Sequence, residues 1–549
     1  MSNLCSFLLL LFLGAACSTS PGGVEPGTDT APADTTPADT APADAGSDIV
    51  FDLVSTDGDL PLTDIAVLME EARFWLANGE PYMALVLFEE ALDAAPDDPD
   101  AIFGAGLAQF IQAVEVLAMV TNLPAQFLGY VSGDGVRDPE SMNEAMADQI
   151  ADVLGGLEER FARAEGHLSR ITDPAFEWTI DRAPLYYVTR PLLMYRGRFD
   201  FGDVHLLRAV NGFCRWASAL LVAQDLETDF AYAMVIAEKV KGGKVDAVTV
   251  LDAAAYLLTA TPNFLALHPE RGPALFMEGG AHIRDIGAHI LEAAAWIEAE
   301  DSTENDVTRL EWDGGDRILV LHNRVVLEGY EGTEEPLRIR LTDDLLDATA
   351  ALVDALDTPG TVVPFSEGPG LQLSTILGLT AKLNIIEQMG ISLPLDITHL
   401  EIDQILVLLT GFMPDTLGFD WATFHQNPAG IRVLLPLLTD PNDPDKYLFE
   451  WECPDDIRAN GFPSGTGGLL CGDAELVDSP HFVGTPWEMP ADGHVSKLPY
   501  MVWDDPTIGG LVAVDVAFGI DEPPDWQIPD NALLNLGLHT WLDGLIGLF

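Results

Sequence analysis

With 549 residues, 48% of them hydrophobic, the chain has apolar material for more than one folded unit. Its 88 acidic residues against 26 basic ones give a formal charge of −62, which excludes nucleic-acid binding, since phosphate contacts need clustered Lys and Arg. The same charge opposes adhesion to anionic lipid. It leaves two readings: a solvated acidic surface without a partner, which we take as the expectation, or a surface for divalent cations or a basic partner.

The first element is a short apolar run, Phe7 to Ala16, ending in Gly14-Ala15-Ala16 just before Cys17. Spanning a bilayer takes about 20 apolar residues, so residues 1–16 read as a removed export signal. The stretch resembles a bacterial lipoprotein signal, in which a leucine-rich core and small residues precede an obligatory cysteine. That resemblance implies that the thiol of Cys17 takes a diacylglyceryl group, and that the mature chain is anchored to the outer membrane on its periplasmic or surface face. A plain secretory cut after Ala16 is the other reading. Residues 17–60 follow as a disordered acidic tether. Residues 18–48 are almost exclusively Ser, Thr, Pro, Ala, Gly and Asp, and Thr30 to Asp44 repeats T-x-P-A-D three times, with little to bury.

Residues 61–130 open the helical part. A helix over Ile65–Asn78, with Leu68, Ala72 and Trp75 inward, ends at Gly79-Glu80-Pro81. In the next one, "ALVLFEEALDAAP", Ala84, Phe88, Ala91 and Pro96 fit the spacing A-x3-F-x2-A-x4-P and resemble the second helix of a tetratricopeptide repeat. A second register starts at Ile102, Ala105 and Gly106, but helix Ala101–Val120 runs on without the expected turn. The resemblance implies a helical-hairpin array that binds another protein.

Residues 131–310 and 343–440 read as a helical body, with segments near 141–170, 203–224, 228–240, 246–260, 273–300, 343–356, 371–390 and 400–413. Between them residues 311–342 alternate and are β-branched, with turn signals at His322-Asn323 and Glu331-Gly332. They predict a hairpin or three-stranded sheet. Residues 441–530 are rich in Pro, Gly, Trp and Asp and are expected to be irregular, and 531–549 to form a last helix. The fold class is therefore mainly α, with a small β insertion and a loop-rich C-terminal region. As a whole the chain resembles large lipoproteins of deltaproteobacteria, which implies no activity.

Cys214 lies at helical spacing with Leu207, Val210, Ala217 and Leu221 and is expected to be a buried apolar side chain. Cys453 and Cys471 flank a Gly/Pro-rich stretch. In an oxidising compartment they are expected to bridge, closing a loop worth about 3 kcal/mol. Neither has a partner two to four residues away, which disfavours zinc.

Candidate chemistry is sparse. The sequence has no G-x-S-x-G, H-E-x-x-H, P-loop or Rossmann fingerprint. His282, Asp285 and His289 fall on one helix face and offer two imidazoles and a carboxylate to a transition metal. A polar stripe on an amphipathic helix is the competing reading, and no metal is expected. Asp440, Asp443 and Asp445 offer oxygen ligands to calcium but lack the Gly and Glu of an EF-hand loop, so a solvated acidic turn is expected there. Trp487, Trp503 and Trp526 with Tyr500 could bind a glycan or peptide, or simply anchor loops.

The functional expectation is a membrane-tethered helical scaffold or protein-binding lipoprotein partnered by another envelope protein. The second class is an exported metal-dependent enzyme whose site is assembled from scattered residues. The charge yields a first prediction. Salt shrinks the Debye length from about 30 Å at 0.01 M to about 3 Å at 1 M, so the Tm is expected to rise between these conditions. Calcium chloride at matched ionic strength is expected to add nothing further in thermal melts. A calcium-specific rise would make the carboxylates an ion-binding surface instead.

Overall fold

The structure, a computed structural model, describes residues 65–120, 139–187, 190–230, 263–300, 306–313, 316–324, 336–365, 418–434, 447–452, 495–499 and 509–511, with a few single positions besides. Expectations for the signal, the tether, Cys17, Cys453, Cys471, Asp440, Asp443, Asp445, the C-terminal helix and the Trp-rich region fall outside these residues, as do most of segments 228–240, 246–260, 371–390 and 400–413.

Helices α1 (Ile65–Ala77) and α2 (Pro81–Ala94) form a hairpin. Gly79 makes its turn at φ +77°, a conformation that costs a side-chain-bearing residue energy. Pro81 opens α2 where a missing N–H removes no helical bond. Leu68, Ala72, Ala84, Phe88 and Ala91 are buried and Trp75 is half-buried, as their spacing predicts, while Pro96 is exposed. Asp98 then caps α3 (Pro99–Val120) by accepting from the Ala101 N–H at 3.0 Å.

Helix α3 is unbroken for 22 residues. Its stretch Pro99–Leu117 is long and apolar enough by composition to cross a membrane, yet 67% of it is buried inside the chain. Phe103 shows what it is buried against. Its ring lies 5.0–5.2 Å from those of Phe176, Trp178 and Phe199, which belong to the segment that follows helix α4 (Pro139–Leu168). Aromatic pairs at such tilted distances contribute about 0.5–1.5 kcal/mol beyond their buried area.

That segment corrects the sequence reading. Within the span expected to be helical, β1 (Glu177–Tyr187) and β2 (Arg190–Asp200) form an antiparallel hairpin. Trp178 and Ile180 are buried in period two. A register shift between Ile180 and Ala183 then brings Ala183 and Leu185 inward. The shift breaks the alternation that would have signalled a strand.

Helix α5 (Phe201–Val222) starts directly from β2 through a capping box. Asp200 accepts from the Asp203 N–H, and the Asp203 carboxylate accepts from the Asp200 N–H, each at 3.1 Å. Helix α6 (Gly272–Ala299) lies against α5. The expected β insertion follows as β3 (Thr308–Asp313), β4 (Asp316–Arg324) and β5 (Pro336–Leu341), antiparallel in that order. Leu319 and Ile339 of this sheet pack on Ala293 and Ile297 of α6. His322-Asn323 are not a turn: they lie inside β4, where pairing with β5 shifts register between Leu321 and Arg324. The local turn preference is absorbed by that irregularity. Thr342 caps α7 (Asp343–Leu356).

Two short pairs complete the described residues. One joins β6 (Val363–Pro364) to β7 (Gly418–Phe419), just before the single turn α8 (Trp421–Phe424). The other pairs β8 (Tyr447–Glu452) with β9 (Val495–Pro499), a second correction, within the region expected to be irregular. The aromatic alternation Tyr447, Phe449, Trp451 has strand character that the surrounding Pro and Gly obscured. The described fold is thus mainly helical with small antiparallel sheets.

Gly104 sets the distance between α2 and α3. A Cβ there would stand 2.4 Å from Cε1 of Phe88. Gly104→Ala is therefore expected to destabilise the protein by about 1–3 kcal/mol in urea unfolding. Adding Phe88→Leu should recover part of that loss. If Gly104→Ala is as stable as the wild type, the contact does not limit the packing.

Candidate functional site

The titratable groups that the fold brings together line the seam between α5 and α6. The two helices run antiparallel, and glycines of α5 let them approach. A Cβ at Gly202 would meet Ile297 Cγ1 at 2.8 Å, and one at Gly212 would meet Ile286 Cγ1 at 3.0 Å. Between these points His205 of α5, buried at 5% exposure, faces His289 and Glu292 of α6. Its Nδ1 lies 3.1 Å from His289 Nδ1 and 2.8 Å from a carboxylate oxygen of Glu292. The His205 ring is held by the edge of Phe201 at 4.7 Å, and Phe201 by Trp296 at 5.2 Å.

Burial disfavours the charged form of both imidazoles. Desolvation, then the charge of Arg208, then His205 push His289 down to about 3, and desolvation also lowers His205. Both are neutral near pH 7, with lone pairs to offer. Arg208 itself is engaged by Glu165 at 2.7 Å.

A second cluster lies further along the seam. Glu158 of α4 meets Glu278 and His282 of α6. Here Arg215 supplies the positive charge, 2.9 Å from Glu158 and 3.9 Å from Glu278. His282 is buried, its Nε2 is 3.8 Å from Glu278 and makes no hydrogen bond, and desolvation followed by Arg215 lowers its pKa.

The triad His282, Asp285, His289 is therefore not one site. Seven helical residues rise about 10 Å, too far for both imidazoles to reach one ion, and each joins a different cluster. Asp285 is exposed beside Arg284 at 3.4 Å and belongs to neither. Sequence reasoning missed His205, Glu292, Glu158 and Glu278. One signal was available: His289 and Glu292 are three apart on a helix and share a face. The residues from α4 and α5 carry none, because only tertiary packing brings them in.

Other buried polar groups are structural. Asp203, with its carboxyl pushed up by burial and by Asp200, accepts the Thr308 hydroxyl and ties α5 to β3. Arg198 joins β2 to Asp306 at 2.7 Å. Cys214 carries a free thiol, half-buried against the core rather than fully enclosed, and burial raises it to about 12.

The α1–α2 hairpin presents a different surface. Val67, Phe74, Tyr82, Met83 and Val86 are exposed, Phe74 by 60%, among the exposed carboxylates Glu70, Glu71, Glu89 and Glu90. An open depression of about 450 Å³ on α1 is lined by Ile65, Met69, Arg73 and Asp100. No protein family, curated protein or solved structure was found to match the chain.

His425 gives the pH prediction. At 3% exposure beside Phe276, it donates its Nδ1 hydrogen to the Trp421 carbonyl at 2.8 Å, and burial lowers it from 6.5 to about 4. The unfolded chain takes up this proton near pH 6.5 and the folded chain only near 4. Stability present above that window is lost as pH falls through it, by an amount on the order of 3 kcal/mol. His425→Gln is expected to flatten the stability–pH curve between these values in urea unfolding. An unchanged slope would mean that this imidazole titrates normally.

Proposed function

We propose that the protein is a lipid-anchored helical binding protein of the cell envelope. Cys17 holds it to the outer membrane, residues 17–60 act as a tether, and a Cys453–Cys471 bridge pins the loop-rich region. In this reading the α1–α2 hairpin begins a tetratricopeptide-like array and docks a basic, amphipathic segment of another envelope protein. The observation that carries the docking is the apolar set Val67, Phe74, Tyr82, Met83 and Val86, exposed and interleaved with Glu70, Glu71, Glu89 and Glu90. Exposed apolar clusters rimmed by polar groups are typical of interaction surfaces. The carboxylates select a partner with Lys or Arg beside its apolar residues and repel an anionic bilayer. The spacing of Ala84, Phe88 and Ala91, all fully buried, supports the repeat-like packing, as does the seating of each helix from α1 to α4 on its neighbour in sequence. A second reading, an exported metal-dependent enzyme, draws on the paired histidines of the α5–α6 seam.

Two measurements test the proposal. Cys17→Ser is expected to move the protein from the membrane fraction to the soluble fraction, and intact mass of the wild type to show an acylated terminus. An unmodified terminus would remove the anchor. A photo-crosslinking residue at Phe74 is expected to trap one discrete basic protein in intact cells, while one at the exposed Asp354 of α7 traps none. Adducts to lipid alone, or no adduct at Phe74, would end the docking assignment.

A further inference from the structure

We infer that His205, His289 and Glu292 form a site for one divalent first-row transition ion, with zinc as its type. The inference is independent of the docking face on α1–α2. Tetrahedral zinc bound by two imidazoles at about 2.0–2.1 Å holds their nitrogens about 3.3 Å apart. The two Nδ1 atoms stand at 3.1 Å. The Glu292 oxygen, 2.8 Å from His205 Nδ1, has to open by a few tenths of an ångström. Its side chain is 56% exposed, so it is free to make that adjustment.

Hydrogen bonding serves this arrangement poorly. The two Nδ1 atoms and the Glu292 carboxylate oxygen converge on one another, and a single Nδ1 hydrogen cannot serve all of them. An ion in its place satisfies all three at once. The second cluster is the internal comparison: it also gathers two carboxylates and an imidazole, but the Arg215 guanidinium already reaches both carboxylates, leaving no place for another cation. Arg208, whose charge acts on both histidines, is paired with Glu165.

Donor type sets the metal class. Two imidazole nitrogens and one carboxylate oxygen favour zinc, cobalt, nickel or copper over calcium and magnesium, which prefer all-oxygen shells. Three protein ligands with a solvent-facing side at Glu292 leave a coordination position for water, as in open rather than closed zinc sites. The perpendicular Phe201–Trp296 pair behind His205 fixes its ring, and glycine-mediated contact of the helices fixes the separation of the donors. The net negative charge raises the local concentration of any cation.

The test uses the full-length protein stripped with chelator and held in millimolar calcium to occupy surface carboxylates. Titration with cobalt is expected to give a visible absorption band saturating at one equivalent, displaced by zinc, and zinc is expected to raise the Tm with the logarithm of its free concentration. His289→Gln and Glu292→Gln should each weaken zinc binding at least about tenfold, while His282→Gln leaves it unchanged. X-ray absorption of the wild-type zinc complex is expected to show two imidazole nitrogens, a readout that requires no variant to fold. The site is refuted if wild type binds no zinc or cobalt under these conditions, or if binding survives His289→Gln. It is equally refuted if His282→Gln abolishes binding, or if the zinc shell contains only oxygen.

Discussion

The close approach of α5 and α6 is the contact from which most of the described structure takes its geometry. Gly202 and Gly212 present bare backbone, and Ile297 and Ile286 seat on it. A Cβ at either place would push the helices apart by a few tenths of an ångström or more, and the 3.1 Å separation of the two histidines would open with it. The same approach places the C-terminal turns of α6 where Ala293 and Ile297 receive the sheet residues Leu319 and Ile339. Asp203, one residue beyond Gly202, then holds the first strand of that sheet through Thr308. Sheet, seam and histidine pair are thus three results of one packing choice.

Charge is organised around scarcity. With 26 basic residues for the whole chain, several arginines of the described part serve as ties between elements. Arg208 joins α5 to Glu165 of α4, Arg215 does so two turns later at Glu158, and Arg198 joins β2 to Asp306. These pairs are partly shielded from water, where a guanidinium that satisfies several acceptors contributes more than an exposed pair does. The exposed pair Arg163–Glu159, at 2.6 Å within α4, contributes little by comparison.

Much of the helical framework was legible in the sequence because its signals are local. Thr342 and the two aspartates after it mark the start of α7, and the expected span 343–356 matches the helix. The hairpin's Ala84, Phe88 and Ala91 lie where periodicity places them. The β1–β2 hairpin was missed because its register shift interrupts the alternation by which strands are recognised. The candidate ligands His282, Asp285 and His289 are divided by distance. A helical wheel shows His282 and His289 on a common side but hides the two turns between them. The true neighbour of His289 is His205, 84 residues away, and only the fold supplies that pairing.

The half-buried thiol of Cys214 bears on how the folded chain behaves toward other sulfur groups. A free cysteine can be a hazard, because a thiolate attacks a disulfide it meets and reshuffles it. With its pKa raised to about 12 by burial, Cys214 holds far less thiolate at pH 7 than an unperturbed thiol does. In the folded state packing alone thus makes this sulfur slow to exchange with a disulfide that meets it.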